Sequence, residues 1–240
     1  NKNQKFSIMI GILGGMGTQA GLDFCNKLAK LNRGKLDQQY PMFVLYNKSN
    51  TPKRPENLKK YYNVLNALVE GCKMLEKNKC KFIVMPCNTA HYWHNDIQKK
   101  IKIPIISMPK EVYVNTEKTC KINSTIGILC TEATLKTKIY SQYFNKKFNL
   151  ISPEKKFQKN SVNKAIKFVK MGKVKEAEKF LRPAIKHLIK KKCKKIILGC
   201  TELPIALFAY KSFKKAKDSK IFIDPNLLLA EICMKKYYKK

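Results

Sequence analysis

Arginine is nearly absent: Arg33, Arg54 and Arg182 are the only three among 50 basic residues, which stand against 16 acidic ones. A formal charge of +34 raises the question of nucleic-acid binding. Nucleic-acid readers, however, favour the planar fork of arginine for phosphates and base edges. The lysines sit on expected helix faces and ends, as in Lys99-Lys100, Lys190 to Lys192 and the stretch Lys235 to Lys240, where they read as solvated surface. Binding of nucleic acid or an anionic membrane through that surface is the less favoured reading.

A long apolar run is also missing. The stretch Ile8 to Gly17 is about half of the ~20 residues that cross a bilayer, so no membrane span is expected. A cytoplasmic location is, with a leader ahead of Asn1 left open. The nine cysteines contain no C-x-x-C pair, which argues against a zinc knuckle. Their odd number and apolar surroundings fit reduced thiols. The turn Gly14-Gly15-Met16-Gly17 lacks the third glycine of a dinucleotide fingerprint and any Walker lysine. It reads as a tight turn lining a cleft.

What is present is a core-forming composition, 44% hydrophobic, in which strand-length apolar runs alternate with segments of helical period. That pattern predicts parallel α/β sheets flanked by helices. Strands are expected at Phe6 to Leu13, Pro41 to Tyr46, Phe82 to Met85, Ile103 to Met108, Thr125 to Leu129, Ile196 to Leu198 and Ile221 to Ile223. Helices are expected at Thr18 to Leu31 from a threonine cap, Pro55 to Lys77, Thr89 to Lys100, Thr134 to Phe144, Leu203 to Tyr210 and Pro225 to Tyr238. Ser161 to Lys192 reads as two helices broken near Gly172. Leu58, Tyr62, Leu65, Leu68, Cys72 and Leu75 form a core-facing stripe.

An internal repeat organises this list. Ile10-Gly11-Ile12-Leu13 recurs as Ile126-Gly127-Ile128-Leu129. A later strand in each half ends in a cysteine turn, Pro86-Cys87-Asn88-Thr89 and Gly199-Cys200-Thr201-Glu202. Two similar lobes are therefore expected, the first over residues 1–111 and the second over 112–210, with 211–240 returning to the first.

Ligands of open α/β sheets bind beyond the carboxyl ends of strands, so both cysteines belong where a ligand would lie, facing one cleft. A helix start after each favours the thiolate form. Inverting an α-carbon requires taking a proton from one face and returning one to the other, work that a thiolate and a thiol can share. The carbanion needs preorganised donors, and Asn88, Thr89, Thr201, Thr131 and the backbone near Met16 and Gly17 are suited to supply them. Cys25, Cys72, Cys80, Cys120, Cys193 and Cys233 read as packing, and Cys130 stays open. His91, four residues beyond Cys87, raises a cysteine–histidine hydrolase as a rival, although a cap or supporting group is the better reading. His94 and His187 have no comparable context.

The segments GILGGMGTQAGLDF, DQQYPMFVLYN, IVMPCNTAHYWHNDIQ, IGILCTEATLKTKIYSQ and IILGCTELPIAL resemble the aspartate/glutamate racemase family, and within it the aspartate racemase branch. The resemblance spans nearly the whole chain. It implies two pseudo-twofold-related lobes with the active site in the cleft between them, a homodimer, and catalysis with neither cofactor nor metal. It further implies that Cys87 and Cys200 exchange protons with the D- and L-substrate respectively. Arg54, in NKSNTPKRPE, matches the arginine that meets the substrate's side-chain carboxylate, and Lys170, in FVKMG, the lysine that completes that clamp. His91 and Glu202 fall beside the reacting groups as supports. Thr18 departs from a usual proline, Ala133 from a usual glycine, and the stretch between Asn47 and Arg54 is irregular. Glutamate racemase usually has histidine at the place of Glu202; glutamate or broad-specificity racemization is the alternative, and a non-catalytic polyanion binder the alternative of another class.

Overall fold

The computed structural model describes residues 8–54, 56–208 and 220–238. The chain divides into two compact units, one of residues 1–108 with 226–240 and one of residues 109–225.

In the first unit, β1 (Ile10–Gly14), α1 (Thr18–Leu31), β2 (Phe43–Asn47), α2 (Tyr61–Lys77) and β3 (Phe82–Val84) lead to a 3₁₀ turn (Thr89–Trp93) and α3 (His94–Gln98). The sheet is parallel in the order β2-β1-β3, and Ile105 adds one further parallel bridge beside Ile83. Such a sheet carries helices on both faces, and the residues of β1 divide accordingly. Leu13 faces the core built on Leu65, Leu68, Cys72 and Leu75 of α2. Ile10 and Ile12 face Phe24 and Leu28 of α1. Burial of each such side chain contributes about 2 kcal/mol.

The second unit runs through α4 (Met108–Thr119), β4 (Thr125–Cys130), α5 (Glu132–Lys136), α6 (Ser141–Phe144), β5 (Asn149–Ile151), α7 (Lys155–Phe157), a π turn (Gln158–Val162), α8 (Asn163–Lys170), α9 (Val174–Lys190), β6 (Lys195–Gly199), α10 (Glu202–Phe208) and β7 (Phe222–Ile223). Its sheet is parallel in the order β5-β4-β6-β7. The closing helix α11 (Pro225–Tyr238) packs Leu229, Ala230, Cys233 and Met234 against Phe24 and Leu28 in the first unit's core.

The sequence repeat is thus a repeat of topology, since β5-β4-β6-β7 retraces β2-β1-β3 and the bridge at Ile105. It extends to packing. A methyl group on Gly11 would lie 3.3 Å from the Cys80 sulfur, and one on Gly127 would lie 3.2 Å from that of Cys193. Each strand glycine leaves room for a cysteine seven residues before the turn cysteine of its own unit.

Several expected elements change. The strand at Ile103 to Met108 reduces to the single bridge at Ile105, and Met108 begins a helix. Pro104 has no N–H for a ladder, and Pro109 fits a helix's first turn. The helix expected from Pro55 starts at Tyr61, and Tyr62 is 72% exposed; at 100° per residue it stands well off the stripe centred on Leu68. Thr18 does not cap α1, because Gly17 is the extended residue before it and supplies no side chain. The helix expected over Thr134 to Phe144 is interrupted at Lys138, which has φ 54°. Strand β5 was not expected; its three residues are too few for a period. The break near Gly172 stands, at φ 77°. Residues 6 and 7 of the first expected strand, Pro55 of the second expected helix, Ala209 and Tyr210 of the helix expected from Leu203, and 211–219 with 239–240 of the expected C-terminal segment lie outside the described residues.

Candidate active site

Each sheet reverses its strand order beside its first strand, between β1 and β3 in one unit and between β4 and β6 in the other. Loops beyond the carboxyl ends of strands diverge at such a switch point and leave room for a ligand. In the first unit the residues there are Met16, after β1, and Cys87, Asn88, Thr89 and His91, after β3. In the second they are Thr131, after β4, and Cys200, Thr201 and Glu202, after β6, where Cys130 and Gly199 pair in register.

Around Cys87 the chain turns tightly. The Cys87 amide donates to the Met85 carbonyl at 2.7 Å, and the thiol residue is only 7% exposed. Asn88, Thr89 and His91 are buried with it. His91 is fully engaged by backbone. The Met108 N–H donates to Nε2 at 3.1 Å, so Nε2 is the acceptor and the ring proton lies on Nδ1, 3.0 Å from the Cys87 carbonyl. With both nitrogens occupied, the ring serves as a brace for the Cys87 turn, and its engagement argues against the hydrolase pairing. Burial, helped by the neighbouring His94, lowers its pKa to about 4, so the ring is neutral.

That depression makes stability depend on acid. The folded state keeps His91 neutral while the unfolded state takes up a proton below about pH 6.5, so stability is intact above that value and is lost as pH falls toward 4. The loss reaches about 3 kcal/mol. Urea midpoints measured from pH 7 to 4 are expected to fall steeply in the natural chain and more gently in His91→Asn; equal slopes would remove His91 as the cause.

Arg54 lies 7% exposed in the loop after β2. Its Nη1 donates to the carbonyls of Thr51 (3.3 Å) and Pro52 (2.9 Å), and its Nη2 to that of Met16. The buried Nε has no partner. A guanidinium carries five N–H donors, so the Nε–H and one Nη2–H remain uncommitted, a pair suited to a bidentate carboxylate.

In the second unit Cys200, 7% exposed, donates its thiol proton to Glu202 Oε2 at 2.9 Å. Thr201 Oγ1 donates to the same oxygen at 3.4 Å, and Lys170 Nζ lies 3.7 Å from Oε1. Burial first, then the Glu202 carboxylate, drives the Cys200 pKa far above its ordinary value. The thiolate-favouring helix start expected for Cys200 is therefore corrected: desolvation and an adjacent anion outweigh the field of the short helix α10. Thr131 has a local structural role as well. Its Oγ1 caps α5, accepting from the Thr134 amide at 3.1 Å.

Gln158 was not singled out in the sequence. Its Nε2 donates to the Cys130 carbonyl at 2.9 Å and to Asn163 Oδ1 at 2.8 Å, which ties the π turn to the end of β4. One glutamine in a polar stretch carries no signal of such a contact, since a π turn has no sequence period of its own.

The model of the Asp/Glu/Hydantoin racemase family matches residues 13–233. The chain belongs to this family. Its enzyme class is accordingly that of the racemases, a kind of isomerase. A Bacillus subtilis protein described as a broad specificity amino-acid racemase is 27% identical over 203 residues, 83% of this chain and 87% of that one. The structure of Picrophilus torridus aspartate racemase is 28% identical with a TM-score of 0.80, covering 97% and 95% of the two chains. A Francisella tularensis glutamate racemase in complex with D-glutamate shares the fold at a TM-score of 0.65 and 18% identity, over 97% of this chain and 82% of that one. Among the described residues, no helix is long and apolar enough to cross a membrane.

Proposed function

We infer that this chain interconverts D- and L-aspartate by proton transfer at the α-carbon, with Cys87 and Cys200 acting on opposite faces. The observation that carries the reading is the repeated placement of one buried thiol at the carboxyl end of the third strand in each of two units with the same strand order.

With Cys200 holding its proton against Glu202, Cys87 is the base in the D-to-L direction. It takes the α-proton from one face while Cys200 delivers its own to the other. The Cys200 thiolate left behind recovers a proton through Glu202 or from solvent, and Cys87 gives up the one it gained. The L-to-D direction uses the same groups in reverse, with Glu202 accepting the Cys200 proton before abstraction. Asn88 and Thr89, with Thr131 and the backbone around Met16, supply donors to the α-carboxylate as charge builds on the carbanion, while Thr201, whose hydroxyl donates to Glu202, holds that side chain beside the substrate. No cofactor or metal takes part in this scheme.

Aspartate is favoured by Arg54, whose two uncommitted donors suit a second carboxylate. The resemblance to aspartate racemases assigns Lys170 to the same clamp, and within its own unit Lys170 pairs with Glu202. The likeness to an aspartate racemase at 28% identity supports the same choice. Glutamate differs by one methylene, a difference worth roughly 1–3 kcal/mol in a pocket.

Proton NMR of L-aspartate and L-glutamate in D₂O, with chiral chromatography, tests the reading. Loss of the α-proton signal with appearance of the D-isomer is expected for aspartate, and more slowly for glutamate. Faster glutamate turnover would move the substrate to the longer acid, and no exchange on either would end the assignment.

A further inference from the structure

Lys48 is a lysine 5% exposed, whereas the other described lysines mostly face solvent. Lysine is almost never fully buried unless paired, and its place in the fold shows what the burial accomplishes. It directly follows β2. Its stem runs beside Gly71 of α2, where a methyl group would lie 3.4 Å from the Lys48 Cδ, and its Nζ meets Glu70 at 3.0 Å. The ammonium also lies 5.9 Å from the centre of the Tyr46 ring. The side chain thus fastens the end of β2 to the middle of α2.

The backbone of the same residue organises the loop that bears Arg54. The Lys48 carbonyl accepts from the Thr51 amide at 3.1 Å and from Thr51 Oγ1 at 2.7 Å, and the Thr51 carbonyl accepts from Arg54 Nη1 at 3.3 Å. On its other side Lys48 touches the turn after β1. A methyl group on Gly15 would lie 2.3 Å from the Lys48 carbonyl carbon, and Gly15 has φ +83°. No residue but glycine fits that contact without displacing one backbone or the other. The next residue, Met16, supplies the carbonyl that receives Arg54 Nη2. Two loops are therefore clamped at two points, Gly15 on Lys48 and Met16 on Arg54.

We propose that Lys48 is a positioning residue for substrate selection: anchored to Glu70, it fixes the loop that aims the Arg54 guanidinium at the substrate's second carboxylate. This rests on the reading of Arg54 given above. Arginine selects a carboxylate through the geometry of its fork, and a fork on a loop is only as selective as the loop is fixed. Lys48 touches no substrate atom in this scheme.

The test is steady-state kinetics of Lys48→Met, Lys48→Arg and Arg54→Lys on aspartate, each with its melting temperature. Lys48→Met keeps the stem and loses the charge. Because a misaimed Arg54 weakens ground-state and transition-state binding alike, its KM for aspartate is expected to rise on the order of tenfold with kcat within about twofold. Competitive inhibition by succinate, a dicarboxylate, is expected to weaken by a similar factor. Lys48→Arg is expected to restore much of both. An unchanged KM in Lys48→Met, or a fall in kcat that tracks a lower melting temperature and is not rescued by Lys48→Arg, would overturn the proposal. If Arg54→Lys itself leaves KM unchanged, the reading of Arg54 fails first; if Arg54→Lys raises KM and Lys48→Met does not, only the role of Lys48 fails.

Discussion

Cys200→Ala is expected to lose inversion of aspartate by at least about a thousandfold, the scale set by removing one essential proton carrier, while still exchanging the α-proton of D-aspartate with D₂O. The remaining thiol can take a proton from its own face and return a deuteron to that face, so label enters without a change of configuration. Cys87→Ala is expected to give the mirror result, with label entering L-aspartate alone. A thousandfold loss corresponds to roughly 4 kcal/mol of barrier, far beyond a packing change at a buried cysteine that leaves the strand ends in place. The measurement is deuterium incorporation by NMR together with chiral analysis of the same samples. Inversion at the natural rate in either variant would remove that cysteine from the reaction, and exchange of both enantiomers in one variant would show that a single group reaches both faces.

Arg54→Lys is expected to raise KM for aspartate by about ten- to a hundredfold. Hydrogen bonds to charged groups contribute roughly 1.5–3 kcal/mol, and each 1.4 kcal/mol is a factor of ten. Lysine keeps the charge but not the planar fork, so it cannot hold the carbonyls of Thr51, Pro52 and Met16 and still present two parallel donors. The effect belongs in KM, because the side-chain carboxylate carries the same charge in substrate and transition state. Steady-state kinetics on both enantiomers check it. A loss confined to kcat would place Arg54 at the reacting carbon instead.

Much of the candidate site is legible in the sequence. Both cysteines announce themselves through the repeat, because a duplicated strand–turn pattern leaves its spacing in the sequence. Glu202 and His91 are near them in sequence, and local contacts of two to four residues follow from turn geometry. Arg54 and Lys170 came from resemblance alone, since a lysine among 50 basic residues carries no signal of its own. Lys48 and Gln158 stayed hidden for a related reason. Their partners, Glu70 and the Gly15 backbone for one and the Cys130 carbonyl for the other, are remote along the chain.

The α/β class, the two similar lobes and the two turn cysteines follow from the chain alone, because alternation and repeat are properties of a sequence read in one dimension. Folding sets the protonation state at Cys200, where burial and Glu202 override the helix start. Folding also sets the neutral tautomer of His91, through the Met108 amide, and locks Arg54 onto three carbonyls. Those depend on desolvation and on distances between remote residues, and neither quantity exists until the chain has folded.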